Sequence, residues 1–193
     1  MKSICVYCGS SLGKDVNYVN AATELGVALA EKNIQLVYGG ARIGIMGAVA
    51  QACLSEGGSV IGIIPEFLDQ VEITNTDVTE LIQTKNMHER KTLMVEKSDG
   101  FIALPGGFGS LEELAEILTW AQLKLVNKPI GILNINGYYD KLLDFFDHMH
   151  QEGFLKFTNL NLFVVDSKVK GLLQKMETMH IEGGTFEEKL GLT

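Results

Sequence analysis

The segment FIALPGGFGSLEE (residues 101–113) joins an apolar run to a glycine-rich loop and then to a helical pattern. Residues 101–104 have the length and composition of a buried strand, and Pro105 ends it because proline has no backbone N–H to donate. Three glycines follow within four positions, so the backbone can adopt positive φ angles and approach a ligand closely. Ser110 is then predicted to open a helix over residues 111–126. This unit predicts an α/β fold.

The alternation of strand and helix patterns continues along the whole chain. The other predicted strands cover residues 4–8, 34–38, 59–64, 78–84, 129–135 and 162–165. The other predicted helices cover residues 16–31, 44–56, 86–98, 138–151 and 168–180, and residues 66–77 are predicted to be a loop with a short turn. Strands that alternate with helices of this length imply βαβ units and a mostly parallel sheet with helices on both faces.

Length and charge narrow the class of protein. A chain of 193 residues suits one domain, which we place at residues 1–180, followed by a tail rich in Gly and Glu at 181–193. The net charge is −8, from 16 basic and 24 acidic residues, and no basic run occurs, which argues against nucleic-acid binding. A local site can still be positive, so a small phosphorylated ligand is compatible with this charge.

The cysteines and the apolar runs of the sequence indicate the cellular compartment of the protein. The chain has three cysteines, Cys5, Cys8 and Cys53, and an odd number does not suit a disulfide framework. We therefore expect them to be buried structural thiols. The apolar part of the N-terminus is too short for a signal peptide, and no apolar run approaches the roughly 18 residues of a membrane span. These features predict a cytoplasmic protein that makes no contact with a membrane.

The segment PGGFGSLEE (residues 105–113) predicts an anion site. Ligands of parallel sheets bind beyond the carboxyl ends of the strands, and backbone N–H groups at a helix start favour a phosphate. The pattern matches neither the P-loop nor the full GxGxxG pattern. Ser110 and Glu113 also fit a capping box, S-x-x-E, and spacing alone does not separate that structural role from a chemical one. We expect Glu112 to be solvated, and Glu116 lies one helical turn beyond Glu113.

Two further segments carry candidate residues. YGGARIGIMG (residues 38–47) is again a strand end, a glycine-rich loop and a helix start. In MHERK (residues 87–91), the planar guanidinium of Arg90 suits phosphate or carboxylate recognition, whereas Lys91 either adds positive charge or is simply exposed. The four histidines lack the spacing of metal ligands, so no metal is expected.

These three segments, in this order, resemble the Lonely Guy (LOG) family of cytokinin riboside 5′-monophosphate phosphoribohydrolases, often labelled lysine decarboxylase-like. The resemblance extends from about Lys2 to His180. It implies a Rossmann-like, doubly wound α/β domain, a homodimer, and hydrolysis of the N-glycosidic bond of an adenosine 5′-monophosphate derivative to free base and ribose 5-phosphate. No cofactor is implied. Ser110 stands where the family usually has Thr, which retains the hydroxyl.

The resemblance implies roles for particular residues. Arg90 and Glu113 match the family's catalytic positions. Family nucleotide contacts fall on Glu72, Lys91, Gly107, Phe108, Gly109, Ser110 and Thr119. From the same segments and from the strand ends we add, as binding candidates, Gly9, Ser10, Gly39, Gly40, Met46, Gly47, Met87 and Gly106.

A mechanism follows as a hypothesis. The glycines and Ser110 hold the 5′-phosphate, positive charge grows at the anomeric carbon as the base departs, and Glu113, kept ionised beside Arg90, stabilises that charge or orients the water. Three alternatives stay open. They are a decarboxylase with pyridoxal phosphate on Lys91, a non-catalytic nucleotide sensor or carrier, and a hydrolase of another nucleoside monophosphate.

Overall fold

The structure is a computed structural model that describes residues 1–69 and 74–179. Within these residues seven strands form a parallel sheet. The strands are β1 (Ser3–Tyr7), β2 (Gln35–Tyr38), β3 (Val60–Pro65), β4 (Glu80–Thr84), β5 (Phe101–Ala103), β6 (Ile130–Leu133) and β7 (Val164–Asp166). The α-helices are α1 (Val16–Glu31), α2 (Gly44–Ser55), α3 (Glu66–Asp69), α4 (Met87–Glu96), α5 (Phe108–Gln122), α6 (Asp140–Gln151) and α7 (Val169–Thr178). Two 3₁₀ turns cover Ile135–Gly137 and Phe157–Leu162.

The strand order is β4-β3-β2-β1-β5-β6-β7. The chain winds outward from β1 to β4, returns to the centre, and then winds outward again from β5 to β7. β1 and β5 are hydrogen-bonded neighbours, with Val6 paired to Ile102. The direction of winding therefore reverses between β1 and β5, and this is the switch point at which such folds bind ligands. The predicted Rossmann-like, doubly wound fold is confirmed.

Helices cover both faces of the sheet. One core cluster joins Ile4 and Val6 of β1 to residues of α1, α2 and α7. The other joins Cys5 and Tyr7 to residues of α4 and α5. Successive strand residues alternate between these faces, so both faces of the central strands are mostly apolar.

The cysteines are free and buried, as predicted. Cys5 belongs to the core of the α4–α5 face and Cys8 to the core of the opposite face. Burial raises the pKa of both thiols well above the ordinary value. This C-x-x-C segment is therefore part of the packed interior.

The predicted elements are present in the described residues, with shifted ends. The largest shift concerns α5, which begins at Phe108 rather than after Ser110 and ends at Gln122 rather than at residue 126. Gly107 is its N-cap, and Lys124 adopts a left-handed φ of 61° just beyond its end. A short helix, α3, occupies the start of the predicted loop. The predicted contact Glu72 and the predicted tail at 181–193 lie outside the described residues.

In the two described ranges, no helix combines the length and the apolar character needed to cross a membrane.

Candidate functional site

A crevice opens at the switch point between the loops that follow β1 and β5. The N–H of Gly9 donates to the carbonyl of Pro105 at 3.1 Å, which ties the two loops together. The N–H of Met46 donates to the carbonyl of Gly9 at 3.2 Å, so the start of α2 joins the same edge. A cavity of about 270 Å³ lies between these loops, with Ser10 and Gly106 among its lining residues. The strand-end rule thus located this crevice from sequence.

The first turn of α5 forms one wall of the crevice. Its first helical hydrogen bond runs from the N–H of Leu111 to the carbonyl of Gly107 at 3.0 Å. The N–H groups before Leu111 therefore lie at the open helix end, where the helix dipole favours an anion. The side of the backbone at Gly107 and Gly109 is open, because a Cβ placed on either residue would meet no atom within 4 Å. Phe108 is 92% exposed beside them.

The glycines of this loop act differently from the prediction. Among the described glycines, positive φ angles occur elsewhere and not at Gly106, Gly107 or Gly109. Gly106 instead lies against the buried side chain of Ser110 and close to the N–H of Gly9, where a Cβ would not fit. These glycines allow close approach of the backbone, and no left-handed conformation is involved.

The capping-box alternative for Ser110 and Glu113 is wrong. Gly107 caps α5, so Ser110 is already inside the first turn and Glu113 lies in the second. Neither side chain caps the helix, since no side-chain hydrogen bond is made at this N-cap. Ser110 packs against Gly106, and Glu113 faces α4.

Arg90 of α4 and Glu113 of α5 form a buried ion pair. The Arg90 Nη1 lies 3.3 Å from the Glu113 Oε1, and the two side chains are only 9% and 10% exposed. The Arg90 Nε donates to the carbonyl of Ile63 on β3 at 3.0 Å. The guanidinium lies against Gly39, where a Cβ would collide with it and would stand 3.0 Å from the Met46 Sδ. Residues of α5, β3 and the loop after β2 thus fix the position of this one side chain.

The carboxyl group of Glu113 titrates near neutral pH. Burial raises its pKa to about 7, and this effect exceeds the lowering by Arg90; Glu112 and Glu116 raise the pKa further, and Lys91 lowers it. Within the described residues its Oε1 atom makes no hydrogen bond. Burial therefore opposes the expectation that Arg90 keeps this carboxylate ionised, and both the acid and the carboxylate are present near pH 7. A buried acid of this kind can accept or release a proton near neutrality.

Lys91 contacts acids of α5 in this structure. Its Nζ lies 2.6 Å from the Glu112 Oε1 and 2.9 Å from the Glu116 Oε1. The expectation of a solvated Glu112 is confirmed, because its side chain is 54% exposed, and the same carboxylate also pairs with Lys91. Burial alone would lower the pKa of Lys91, but the hydrogen bonds to Glu112 and Glu116 outweigh it and the pKa is raised. A lysine that forms an imine with pyridoxal phosphate needs a lowered pKa, so this environment disfavours the decarboxylase alternative.

The second glycine-rich loop supports the site by packing. Gly40 has a φ of 79° and its carbonyl accepts from the N–H of Asn75 at 2.8 Å. The N–H of Gly47 donates to the carbonyl of Ile43 at 3.0 Å inside the start of α2. Gly44 has a φ of 64° and lies against the backbone of Ser10. The loop holds β2 and α2 close to the crevice.

The remaining predicted residues divide into two groups. The Met87 Sδ lies 4.0 Å from the Arg90 Nη1, and Met46 contacts the same region through Gly39. Thr119 instead lies ten residues beyond Gly109, about 15 Å along α5. Its hydroxyl donates to the carbonyl of Ala115 at 2.7 Å, so the structure does not bring it to the crevice. Sequence reasoning missed Tyr138 and Tyr139, although they follow the end of β6 and the strand-end rule applies there as well.

The family model described as possible lysine decarboxylase matches residues 46–176. The Arabidopsis thaliana protein named cytokinin riboside 5′-monophosphate phosphoribohydrolase LOG1 is 50% identical over 176 residues, which cover 91% of this chain and 83% of that protein. The chain belongs to the Lonely Guy family. A probable cytokinin riboside 5′-monophosphate phosphoribohydrolase of Oryza sativa, LOGL6, is a further member at 48% identity over 91% of this chain and 70% of its own length.

Solved structures agree with this Lonely Guy chain in fold. The molybdenum cofactor binding protein of Rippkaea orientalis has a TM-score of 0.70 at 23% identity and covers 92% of this chain and 97% of its own. The Moco carrier protein of Chlamydomonas reinhardtii has a TM-score of 0.69 at 22% identity and covers 92% and 96%. At these identities the likeness concerns the architecture alone.

Proposed function

We propose that this protein hydrolyses the N-glycosidic bond of adenosine 5′-monophosphate-type nucleotides, either cytokinin riboside 5′-monophosphate or AMP. The products are the free base and ribose 5-phosphate. The observation that carries the proposal is the buried Arg90–Glu113 pair beside the open N-terminus of α5, in a chain half identical to named phosphoribohydrolases. Neutral-pH titration of a buried acid is a feature of catalytic sites.

The first step is anchoring of the 5′-phosphate at the start of α5. The open side of Gly107 and Gly109 admits an anion, and the free N–H groups of this turn donate to it. The phosphate does not react, so its binding energy can serve to hold the ribose in the geometry of the transition state. This role accounts for the two glycines on either side of Phe108 whose Cβ would meet nothing in the free protein.

The second step is cleavage of the bond between the anomeric carbon and the base. The bond's electron pair leaves with the base, and positive charge grows on the sugar as in glycoside hydrolysis. The carboxylate of Glu113 stabilises that charge or orients the attacking water and takes up its proton, which it then returns to solvent, while the departing base takes a proton from solvent. Arg90 holds Glu113 from the α4 side.

A direct assay tests the function. The protein is incubated with AMP, with N6-isopentenyl-AMP and with adenosine, and the released base is measured by chromatography. We expect base from the monophosphates and far less from adenosine, which lacks the anchoring group. Release from neither monophosphate by folded protein contradicts the hydrolase. Saturable AMP binding without release indicates the sensor or carrier instead. A wider panel of nucleoside monophosphates identifies the preferred base.

Gly109→Ala is expected to separate binding from stability. Gly109 lies in the first turn of α5, and its added methyl group meets no protein atom. The free energy of unfolding should therefore stay equal or rise by up to about 1 kcal/mol, and the melting temperature should follow it. The same methyl group occupies the approach of the phosphate, and we expect the KM for AMP to rise about tenfold or more. Inhibition by adenosine serves as the control and changes little. An unaltered KM places the phosphate elsewhere.

The rate is expected to rise with pH near neutrality. The carboxylate of Glu113 is the active form in this mechanism and its pKa is about 7, so kcat/KM should increase through pH 7 and level off above it. Since Glu112 contributes to the raised pKa, Glu112→Gln should shift this limb to lower pH. The phosphate of the substrate also titrates, at pH ~6, and this adds a limb to the pH profile that is the same for all variants. A wild-type rate that stays constant between pH 6.5 and 8 contradicts the assignment.

Stability is expected to depend on the same group. The pKa of Glu113 is higher in the folded protein, about 7, than its ordinary value of 4.5. Its contribution to stability is therefore full below pH 4.5 and is lost as the pH rises through about 7. Glutamine does not titrate, so Glu113→Gln lacks this loss. The difference in unfolding free energy between the variant and the wild type should therefore shift in the variant's favour by roughly 3 kcal/mol as the pH rises from the lower limit to the upper one. Denaturant unfolding of both proteins at several pH values measures it, and a constant difference contradicts it.

We further propose that the protein is a cytoplasmic homodimer. α6 is strongly amphipathic, yet none of its residues is buried. Phe145, Phe154 and Phe157 are exposed on and just after it, which is unusual for a monomer's surface. A second copy would cover this surface, and sedimentation equilibrium tests for it. The free buried cysteines suit a reducing compartment.

A further inference from the structure

Three successive carbonyl groups in the β5–α5 loop are each held by a different donor. The hydroxyl of Tyr139 donates to the carbonyl of Leu104 at 2.7 Å. The N–H of Gly9 donates to the carbonyl of Pro105 at 3.1 Å. The hydroxyl of Tyr138 donates to the carbonyl of Gly106. The loop beside the open end of α5 is thus tethered at every carbonyl from the end of β5 to the helix cap.

These tethers determine where the N–H groups of the loop point. In a planar trans peptide the C=O of one residue and the N–H of the next point in opposite directions. The bond from Gly9 to the carbonyl of Pro105 therefore turns the N–H of Gly106 the other way. The bond from Tyr138 to the carbonyl of Gly106 likewise turns the N–H of Gly107 away from Tyr138. The negative ends of these peptide groups face protein donors, which leaves their positive ends for an anion.

The turn after β6 delivers the two tyrosines. Asn136 and Gly137 adopt left-handed φ angles of 50° and 70°, which reverse the chain toward the β5–α5 loop. The N–H of Tyr139 donates to the Asn134 Oδ1 at 2.7 Å and fixes the turn. The rings of Tyr138 and Tyr139 then meet edge to face at 5.0 Å. Asn and Gly are the residues that adopt left-handed φ angles most readily, so the sequence suits this turn and the placement of the tyrosines that follow it.

The two tyrosines differ in exposure. Tyr139 is buried, whereas Tyr138 is 41% exposed and stands between two cavities, of about 270 and 390 Å³, that share Gly106 and Gly107. The ring of Tyr18 packs on its edge at 5.6 Å from the other side. The hydroxyl of Tyr138 therefore reaches the loop from a partly exposed position at the edge of both cavities.

We propose that Tyr138 is a positioning residue for anion binding, which acts through the carbonyl of Gly106. Its hydroxyl keeps that carbonyl away from the bound phosphate and presents the N–H of Gly107 to it. The inference rests on the proposed function for the location of the phosphate at the start of α5. Tyr138 touches neither the reacting carbon nor the base in this scheme, so its loss should change binding and leave the chemical step intact.

Tyr138→Phe tests this with a single lost oxygen. The ring and its contacts with Tyr18 and Tyr139 remain. We expect the KM for AMP and the dissociation constant of ribose 5-phosphate to rise about tenfold, the size of one net hydrogen bond, with kcat within twofold of wild type. Binding of adenine, which carries no phosphate, and the melting temperature should stay unchanged.

Tyr139→Phe is the matched comparison. It also removes one tyrosine hydroxyl, but the carbonyl that it leaves without a partner is buried at Leu104. We expect this variant to lower the melting temperature and to change ribose 5-phosphate binding less than Tyr138→Phe does. The pair separates positioning of the loop from stability of the fold.

Calorimetric binding of ribose 5-phosphate distinguishes the possible failures, because it needs no turnover. Equal affinity of wild type and Tyr138→Phe overturns the inference and leaves the proposed hydrolysis standing. A lower kcat with an unchanged KM also overturns it. If the wild type binds ribose 5-phosphate but releases no base, the proposed function fails while the tenfold difference in affinity still supports the inference. No binding of ribose 5-phosphate or AMP by the wild type overturns both.

Discussion

Glu113→Gln is expected to lower the rate of base release by about 10²–10⁴-fold while nucleotide affinity stays within about threefold. The amide has the shape of the carboxyl group, so the buried space beside Arg90 remains filled. It can neither take a proton from water nor carry the negative charge that stabilises an oxocarbenium-like state. The phosphate anchor at the start of α5 is unchanged, which is why the loss should fall on kcat rather than on KM.

Glu112→Gln is the control for this prediction. Glu112 is the neighbouring acid on the same helix, is 54% exposed in its side chain, and pairs with Lys91 rather than with Arg90. Its loss removes one negative charge near Glu113 but leaves the buried pair in place, so kcat should change by a few-fold at most at pH 8. Single-turnover assays with AMP compare the two variants. If Glu113→Gln retains more than a tenth of the wild-type rate, another group performs the chemistry.

The position of the crevice could be predicted because it depends on local patterns. Apolar runs of strand length and helical spacing identified the strands and helices, and strand ends marked Gly9 and the segment from Pro105 to Ser110. The end of β6 obeys the same rule, so Tyr138 and Tyr139 could also have been predicted as site residues. They were missed because a tyrosine pair after a strand does not resemble any binding pattern.

The role of Ser110 and Glu113 could not be separated by spacing. A capping box and a chemical pair both fit S-x-x-E, and the difference depends on where α5 begins. The helix begins at Phe108 because Gly107 serves as its N-cap, a position that glycine fills almost as well as serine. A displacement of three residues carries Ser110 into the first turn and leaves Glu113 facing α4.

The charge state at the site depends on tertiary burial, which sequence does not display. Opposite charge beside Glu113 suggested an ionised carboxylate, but desolvation by the surrounding core outweighs it. Lys91 shows the reverse case. Glu112 and Glu116 are four residues apart, so they share a helix face, and this spacing could have predicted a shared partner. The partner's identity depends on how α4 packs against α5.

Arg90→Lys is expected to lower kcat/KM about a hundredfold although the positive charge is kept. The guanidinium contacts three groups at once: the carbonyl of Ile63 through Nε, Glu113 through Nη1 and the backbone of Gly39, where a side chain would collide with it. A single ammonium group cannot reach the first two together, and small misplacements of this kind cost about 10²-fold in rate. The buried carbonyl of Ile63 loses its donor, so the free energy of unfolding should also fall, by about 1–3 kcal/mol.

Gly39→Ala provides an independent test of the same geometry. It keeps Arg90 and its charge, but the added methyl group collides with the guanidinium and displaces it from Glu113. We expect a loss of kcat/KM in the same direction as for Arg90→Lys. Because Arg90 lowers the pKa of Glu113, both variants should also move the ascending limb of the pH profile above pH 7. Wild-type kcat/KM in both variants would show that the charge of Arg90 suffices, whereas a loss confined to Arg90→Lys would show that the guanidinium tolerates displacement. We expect both variants to lose activity and to show a shifted limb. The reason is that the position of the Arg90 guanidinium in the buried pair sets the pKa of Glu113.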